Sequence, residues 1–278
     1  MNHGLTMKLL QAIELIKTYG KKNVVNHVSF EVYAGQIAGL LGQNGAGKST
    51  AFSMVIGMIR PNYGKVFFRG EEITNLPIYL RARLGMGYLA QEPSIFQRMT
   101  VEENILAILE TLKFDYRDKK RRLNQLLGEL GLTHLSKKYA NTLSGGERRR
   151  LEIARVMTTS PSLILLDEPF SFIDPIAVAE IQDIVLNLKD KGIGILLTDH
   201  NVREALSITD HSYIMSDGSI VTSGNTEKLI NDPLARKFYF GEKFLTNDIR
   251  APESFKSYVG DGGNKEPIGR KKKSLHKF

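Results

Sequence analysis

Eight consecutive residues, Gly42-Gln43-Asn44-Gly45-Ala46-Gly47-Lys48-Ser49, fit the pattern G-x-x-x-x-G-K-[ST], and Thr50 completes the turn. Glycines at this spacing let backbone N–H groups turn inward around phosphate oxygens, and a helix starting near Lys48 adds its positive end. Lys48 can reach the outer phosphates of a nucleotide, and the Ser49 hydroxyl can hold Mg²⁺. A second chemical feature lies far downstream, where the apolar run Leu163-Ile164-Leu165-Leu166 ends in Asp167-Glu168. A strand end beside a phosphate loop is where a Mg²⁺-organising carboxylate belongs, which makes Asp167 the candidate metal ligand. Glu168 is then placed to polarise a water for attack on a γ-phosphate. Two acids at a strand end are by themselves an ordinary solvated terminus; their pairing with the loop gives them chemistry.

Between these features stands Leu143-Ser144-Gly145-Gly146-Glu147, which reads physically as a second anion nest opening a helix. It resembles the signature of ABC ATPases, in which the Ser144 and Gly146 positions close on the γ-phosphate of the opposite subunit's ATP. The resemblance covers residues 9–230 and implies roles for further residues. Tyr19 matches the aromatic that stacks on adenine. Gln91, after Tyr88-Leu89-Ala90, matches the glutamine that meets Mg²⁺ and senses the transporter. Asp174 matches the aspartate linking the two subunits, and His200 the histidine that contacts the γ-phosphate. Glu168, His200 and Gln91 are thus the expected catalytic set, with Ser49, Gln91 and Asp167 around Mg²⁺. Phe172 departs from the pattern, because that position is usually small.

A narrower likeness rests on Arg148-Arg149-Arg150, Asp167-Glu168-Pro169-Phe170, Asp174-Pro175, the run from Thr198 to Glu204, Ser94-Ile95-Phe96, and the run from Tyr239 to Phe244. Together they are similar to the ATPases of bacterial lipopolysaccharide-export transporters. That likeness implies a homodimer on the cytoplasmic face of the inner membrane, beneath two integral-membrane subunits, with ATP and Mg²⁺ as cofactors. No direct contact with the lipid cargo is expected. Ile95, Phe96 and Arg98 mix apolar groups with a cation in a loop, and the likeness makes them candidates for coupling to the membrane subunits. Two alternatives stand beside this reading. Importers of branched-chain amino acids share much of the pattern, but commonly carry Asn where Asp174 stands. Nucleic-acid-linked ABC proteins carry two cassettes or long coiled coils, whereas Lys48 and Ser144 are 96 positions apart in a chain with one cassette, so no nucleic acid is expected.

The elements that must position these residues follow the same logic. Residues 36–41 form a short apolar run, as a buried parallel strand should. Residues 24–32, 65–68, 87–90, 163–166 and 193–197 read as further strands. Residues 51–59 (stopping before Pro61), 100–112, 119–130 and 176–189 read as helices. Asp217-Gly218 predicts a hairpin between 213–215 and 219–222. Alternating strands and helices predict an α/β fold with a mostly parallel sheet of phosphate-loop NTPase type. By the resemblance it is of ABC type, with an antiparallel β subdomain and a helical insert over about 92–141. The ATPase domain is expected over 1–240 and an extension over 241–278, mobile from about 251, where apolar periodicity stops.

With 278 residues and 42% hydrophobic content, the chain can bury a substantial core. It has no run of about 18 apolar residues, and residues 1–8 lack an apolar signal-peptide segment. The absence of cysteine excludes disulfides and fits a reducing compartment. Of the net charge of +8, five units sit in residues 264–278, six Lys and Arg against one Glu, so the body is only mildly basic.

Overall fold

The computed structural model describes residues 7–171 and 173–240. Phe172 and the expected extension from residue 241 lie outside them. In chain order the strands are β1 (Lys8–Tyr19), β2 (Lys22–Tyr33), β3 (Ile37–Gly42), β4 (Tyr63–Phe68), β5 (Glu71–Glu72), β6 (Met86–Leu89), β7 (Leu163–Asp167), β8 (Gly194–Thr198), β9 (His211–Ser216) and β10 (Ser219–Gly224). The main helices are α1 (Lys48–Ile56), α2 (Ile78–Arg83), α3 (Val101–Leu109), α4 (Tyr116–Glu129), α5 (Gly145–Met157), α6 (Pro175–Asp190), α7 (Val202–Leu206) and α8 (Thr226–Asn231). No described helix is long and apolar enough to cross a membrane.

Two sheets result. An antiparallel sheet has the order β2-β1-β4-β5, and a six-stranded sheet has the order β10-β9-β3-β8-β7-β6. In the second, β6, β7, β8, β3 and β9 run parallel and only β10 is antiparallel. This is the mostly parallel core that the sequence predicts, with the antiparallel subdomain that the resemblance implies. The β9–β10 hairpin turns at Asp217 (φ 47°) and Gly218 (φ 81°), both positive, as a two-residue primed turn demands.

Period-two alternation divides the core between the faces of the parallel sheet. Ile37, Leu41, Ile164, Leu166, Ile195 and Leu197 join a cluster with α3, α4, α5 and α6. Ala38, Leu40, Leu163, Leu165 and Leu196 face the other way, against α1 and the antiparallel sheet. Strands buried on both faces read as continuous apolar runs for this reason.

Two expectations need correction, and one strand has no pattern to predict it. Helix α1 ends at Ile56, not at Ile59: Gly57 adopts the left-handed conformation (φ 90°) and its N–H bonds back to the Ser53 carbonyl. Strand β1 lacks a regular alternation because bulges break it; Glu14, at one of them, has φ 51°. Ile95 is 9% exposed and packs in the helical core cluster, so it is not available to a partner.

Candidate active site

The order β3-β8-β7-β6 sets the site. All four strands run parallel, so their carboxyl ends lie side by side, where open α/β sheets bind ligands. Gly42 ends β3, Asp199-His200 follows β8, Asp167 ends β7 with Glu168 next to it, and Gln91 lies just past β6.

The phosphate loop is shaped by its backbone neighbours. A Cβ at Gly47 (φ 98°) would sit 2.4 Å from the Val24 carbonyl oxygen, and one at Gly42 2.3 Å from that of Met215. Both positions therefore require glycine. The Gly218 N–H donates to the Ala46 carbonyl at 3.0 Å, which ties the loop to the β9–β10 turn. Gln43, Asn44, Gly45 and Ser49 are exposed, Thr50 is half-buried, and Ala46, Gly47 and Lys48 are buried. The Lys48 ammonium lies inside the loop and donates to the carbonyls of Gly42 (2.7 Å) and Gln43 (3.0 Å). That leaves the third of its three N–H donors. Burial pushes its pKa down, opposed by Glu168, Asp199 and Asp167.

Glu168 has φ 45°, a strained left-handed backbone for a non-glycine residue, held by its N–H bond to the Thr198 carbonyl (2.9 Å). Its Oε2 accepts from the Gln91 amide (2.9 Å) and the Ser171 hydroxyl (3.0 Å) and lies 3.2 Å from Nδ1 of His200. The structure thus brings Glu168, Gln91 and His200 together around one carboxylate oxygen. Asp167 accepts from the Thr198 hydroxyl (2.8 Å) and stands 3.5 Å from that of Tyr88. Burial holds the Asp167 carboxyl above the ordinary range, against the Thr198 bond. Burial and the neighbouring Asp167 push the Tyr88 hydroxyl up to about 12.

Mg²⁺ suits this donor set. Ser49, Asp167 and Gln91 offer hard oxygens, and a buried carboxylate is stabilised by a cation. Among the described residues no group of three or more His, Cys, Asp and Glu forms a ligand cage. Magnesium is usually held by one or two carboxylates together with substrate phosphates and waters, so this fits a site that the nucleotide completes.

Other expected residues sit on separate elements. Ser144 caps α5: its hydroxyl accepts from the Glu147 N–H (3.2 Å), and the Glu147 carboxylate accepts from the Ser144 N–H (2.8 Å). Ser144 and Gly145 are exposed at the helix start, while Gly146 is buried. Asp174 caps α6 through the N–H groups of Ile176 and Ala177. Tyr19, half-exposed, ends β1 in the hairpin whose Val24 abuts Gly47, and the Lys17 ammonium lies 5.5 Å from its ring centroid. Phe96 is 45% exposed with the Arg155 guanidinium 4.6 Å from its ring centroid, and Arg98 is exposed.

Sequence reasoning gave no role to several residues that position the site. Asp199 is fully buried and accepts from the backbone N–H groups of Phe170 and Asn201, fixing both acidic-strand and histidine loops. Arg149, buried and paired with Glu152, donates to the carbonyls of Ala90 (2.9 Å) and Asp167 (3.3 Å), so α5 holds the ends of both β6 and β7. The buried polar pair spaced i, i+3 on an otherwise apolar helix face was the available signal.

Residues 25–171 match the family model described as ABC transporter. A lipopolysaccharide export system ATP-binding protein from Acidithiobacillus ferridurans is 49% identical over 85% of this chain and 98% of its own length. Its counterpart from Escherichia coli K12 is 44% identical over 86% of this chain and 99% of its own length. Among solved structures, the ADP conformation of MJ1267, an ATP-binding cassette of an ABC transporter, superposes with a TM-score of 0.77 at 30% identity, covering 85% of this chain and all of that one. With the phosphate loop, the acidic strand end and the histidine gathered at the carboxyl edge of one parallel sheet, the chain belongs to the ABC transporter family, as an ATP-hydrolysing subunit.

Proposed function

We propose that this chain drives lipopolysaccharide export, as a homodimer on the cytoplasmic face of the inner membrane beneath two integral-membrane subunits. The convergence of Gln91, Ser171 and His200 on the Glu168 carboxylate, at the sheet edge that carries the phosphate loop, is the observation behind the ATPase mechanism. The cargo rests on the relatives just described, whose names specify lipopolysaccharide export.

In this reading the amides of residues 42–50 and Lys48 hold the phosphates of ATP, and Tyr19 lies under the adenine. Asp167, Ser49 and Gln91 would hold Mg²⁺, which supplies charge neutralisation at the phosphates. Glu168 accepts a proton from the attacking water, and His200 positions that water and the γ-phosphate. Ser144 to Glu147 of one subunit close on the ATP of the other, with Asp174 at the seam. Each ATP is then shared, and its hydrolysis loosens the interface. A helical subdomain over about 92–141 carries the movement, and Phe96 and Arg98 present it to a membrane subunit.

Glu168→Gln tests the reading. It should retain ATP binding, lower turnover by about 100-fold or more, and accumulate dimers in ATP and Mg²⁺ by analytical ultracentrifugation. Turnover close to wild type would remove Glu168 as the base.

A further inference from the structure

Arg81 is the one buried residue of α2, at 1% exposure, and its hydrogen-bond partners are all backbone carbonyls. Its Nε donates to Leu76 (2.8 Å), Nη1 to Met54 (2.9 Å) and Val55 (2.6 Å), and Nη2 to Thr74 (2.9 Å). Met54 and Val55 are in the last turn of α1, where carbonyls have no partner within the helix. The carbonyl of Ser53 receives the N–H groups of Gly57, Met58 and Ile59. Arg81 donates to the next two carbonyls, so the end of α1 is satisfied from outside the helix. The fit leaves no slack: a Cβ on Gly57 would lie 2.6 Å from Arg81 Nε. Burial lowers the guanidinium pKa to about 10, and it stays charged at neutral pH.

Helix α1 begins at Lys48, so the element capped by Arg81 is the one whose first turn faces the phosphates. It has nine residues, a rigid rod of about 13 Å. Gly47 at one end is pressed against Val24 and Gly218, and the other end is held by Arg81. A cation at the negative end of a helix also complements its dipole.

We infer that Arg81 is a positioning residue for ATP, which fixes the aim of the phosphate-loop helix by capping its far end. The inference rests on residues 42–50 being the ATP site. It predicts a loss in binding and not in chemistry, because Glu168 and His200 stand just past the ends of β7 and β8 and not on α1.

The test compares Arg81→Met, Arg81→Lys, Gly57→Ala and Lys48→Ala by steady-state ATPase kinetics in the full chain. Each is measured well below its own melting temperature. Arg81→Met removes four hydrogen bonds and should raise KM for ATP about tenfold with kcat within about twofold. Arg81→Lys keeps the charge and part of the bonding and should raise it less. Gly57→Ala displaces the guanidinium without removing it and should shift KM in the same direction, which keeps the inference testable if Arg81→Met does not fold. A lowered melting temperature with wild-type KM in Arg81→Lys and Gly57→Ala overturns it, because Arg81 would then only support the core. Wild-type KM in Lys48→Ala would instead remove the loop as the ATP site, and the inference with it.

Discussion

The half-buried Asp167 carboxylate depends on one short bond, from the Thr198 hydroxyl at 2.8 Å. Burial raises the Asp167 pKa and this bond opposes the rise, so its loss should move the pKa further upward. Thr198→Val keeps the side-chain shape. It should cost about 1.5 kcal/mol or more of stability, as a hydrogen bond to a charged group is worth. The acid limb of the ATPase pH–rate profile should move to higher pH, because the ionised carboxylate would be reached later as pH rises. An unshifted limb would mean that Asp167 is not the group titrating there. Asp167 and Glu168 could be picked out of the sequence because an apolar run ending in two acids marks them, and Gln91 and His200 because the family resemblance implies them. Thr198 and Ser171 could not, because their roles exist only once β7 and β8 are side by side. A threonine at a strand end looks the same whether it faces water or a carboxylate.

Close contact between elements explains Gly146 better than backbone freedom does. A Cβ there would fall 2.7 Å from the Cβ of Ala177, where α5 crosses the first turn of α6. Gly146→Ala should therefore destabilise the fold by about 1–3 kcal/mol through overpacking, read as a lower melting temperature at unchanged secondary structure. If the variant melts like wild type, the helices separate freely and the signature glycine has some other function. Regular apolar runs such as 163–166 and the turn at Asp217-Gly218 were readable because local pattern and tertiary place agree there. Strand β1 was not, since bulges interrupt its alternation, and the end of α1 was misplaced because Gly57 acts before Pro61. Ile95 shows the converse limit. An isolated apolar side chain in a loop fits a docking groove or a core equally well, and here neighbouring helices cover it.

At the scale of the whole molecule, the proposed mechanism makes the loop after Gln91 the route by which a partner's movement would reach the Glu168 carboxylate. The Phe96 backbone is clamped by the buried Asn104 side chain, at 2.8 Å and 3.0 Å, while its ring stays exposed under Arg155. Phe96→Ala should leave isolated ATPase activity unchanged and melting within about 1 kcal/mol. It should sharply reduce co-purification with the membrane subunits, and Arg98→Ala should do so more mildly. Retained co-purification would place the docking surface elsewhere. The sheet order has a consequence for the birth of the protein. Strand β3, which launches the phosphate loop, is flanked by β8 and β9, and the loop itself is braced by Gly218. All three partners are made more than 150 residues after β3. A chain emerging from the ribosome carries its nucleotide motif early but holds it without the sheet neighbours of β3, since contacts of such separation form late. Ribosome-bound chains ending before β9 should fail to retain an ATP analogue that chains released past β10 retain. The cell would then never have a half-made motor consuming ATP: the ability to bind fuel arrives with the end of the catalytic domain.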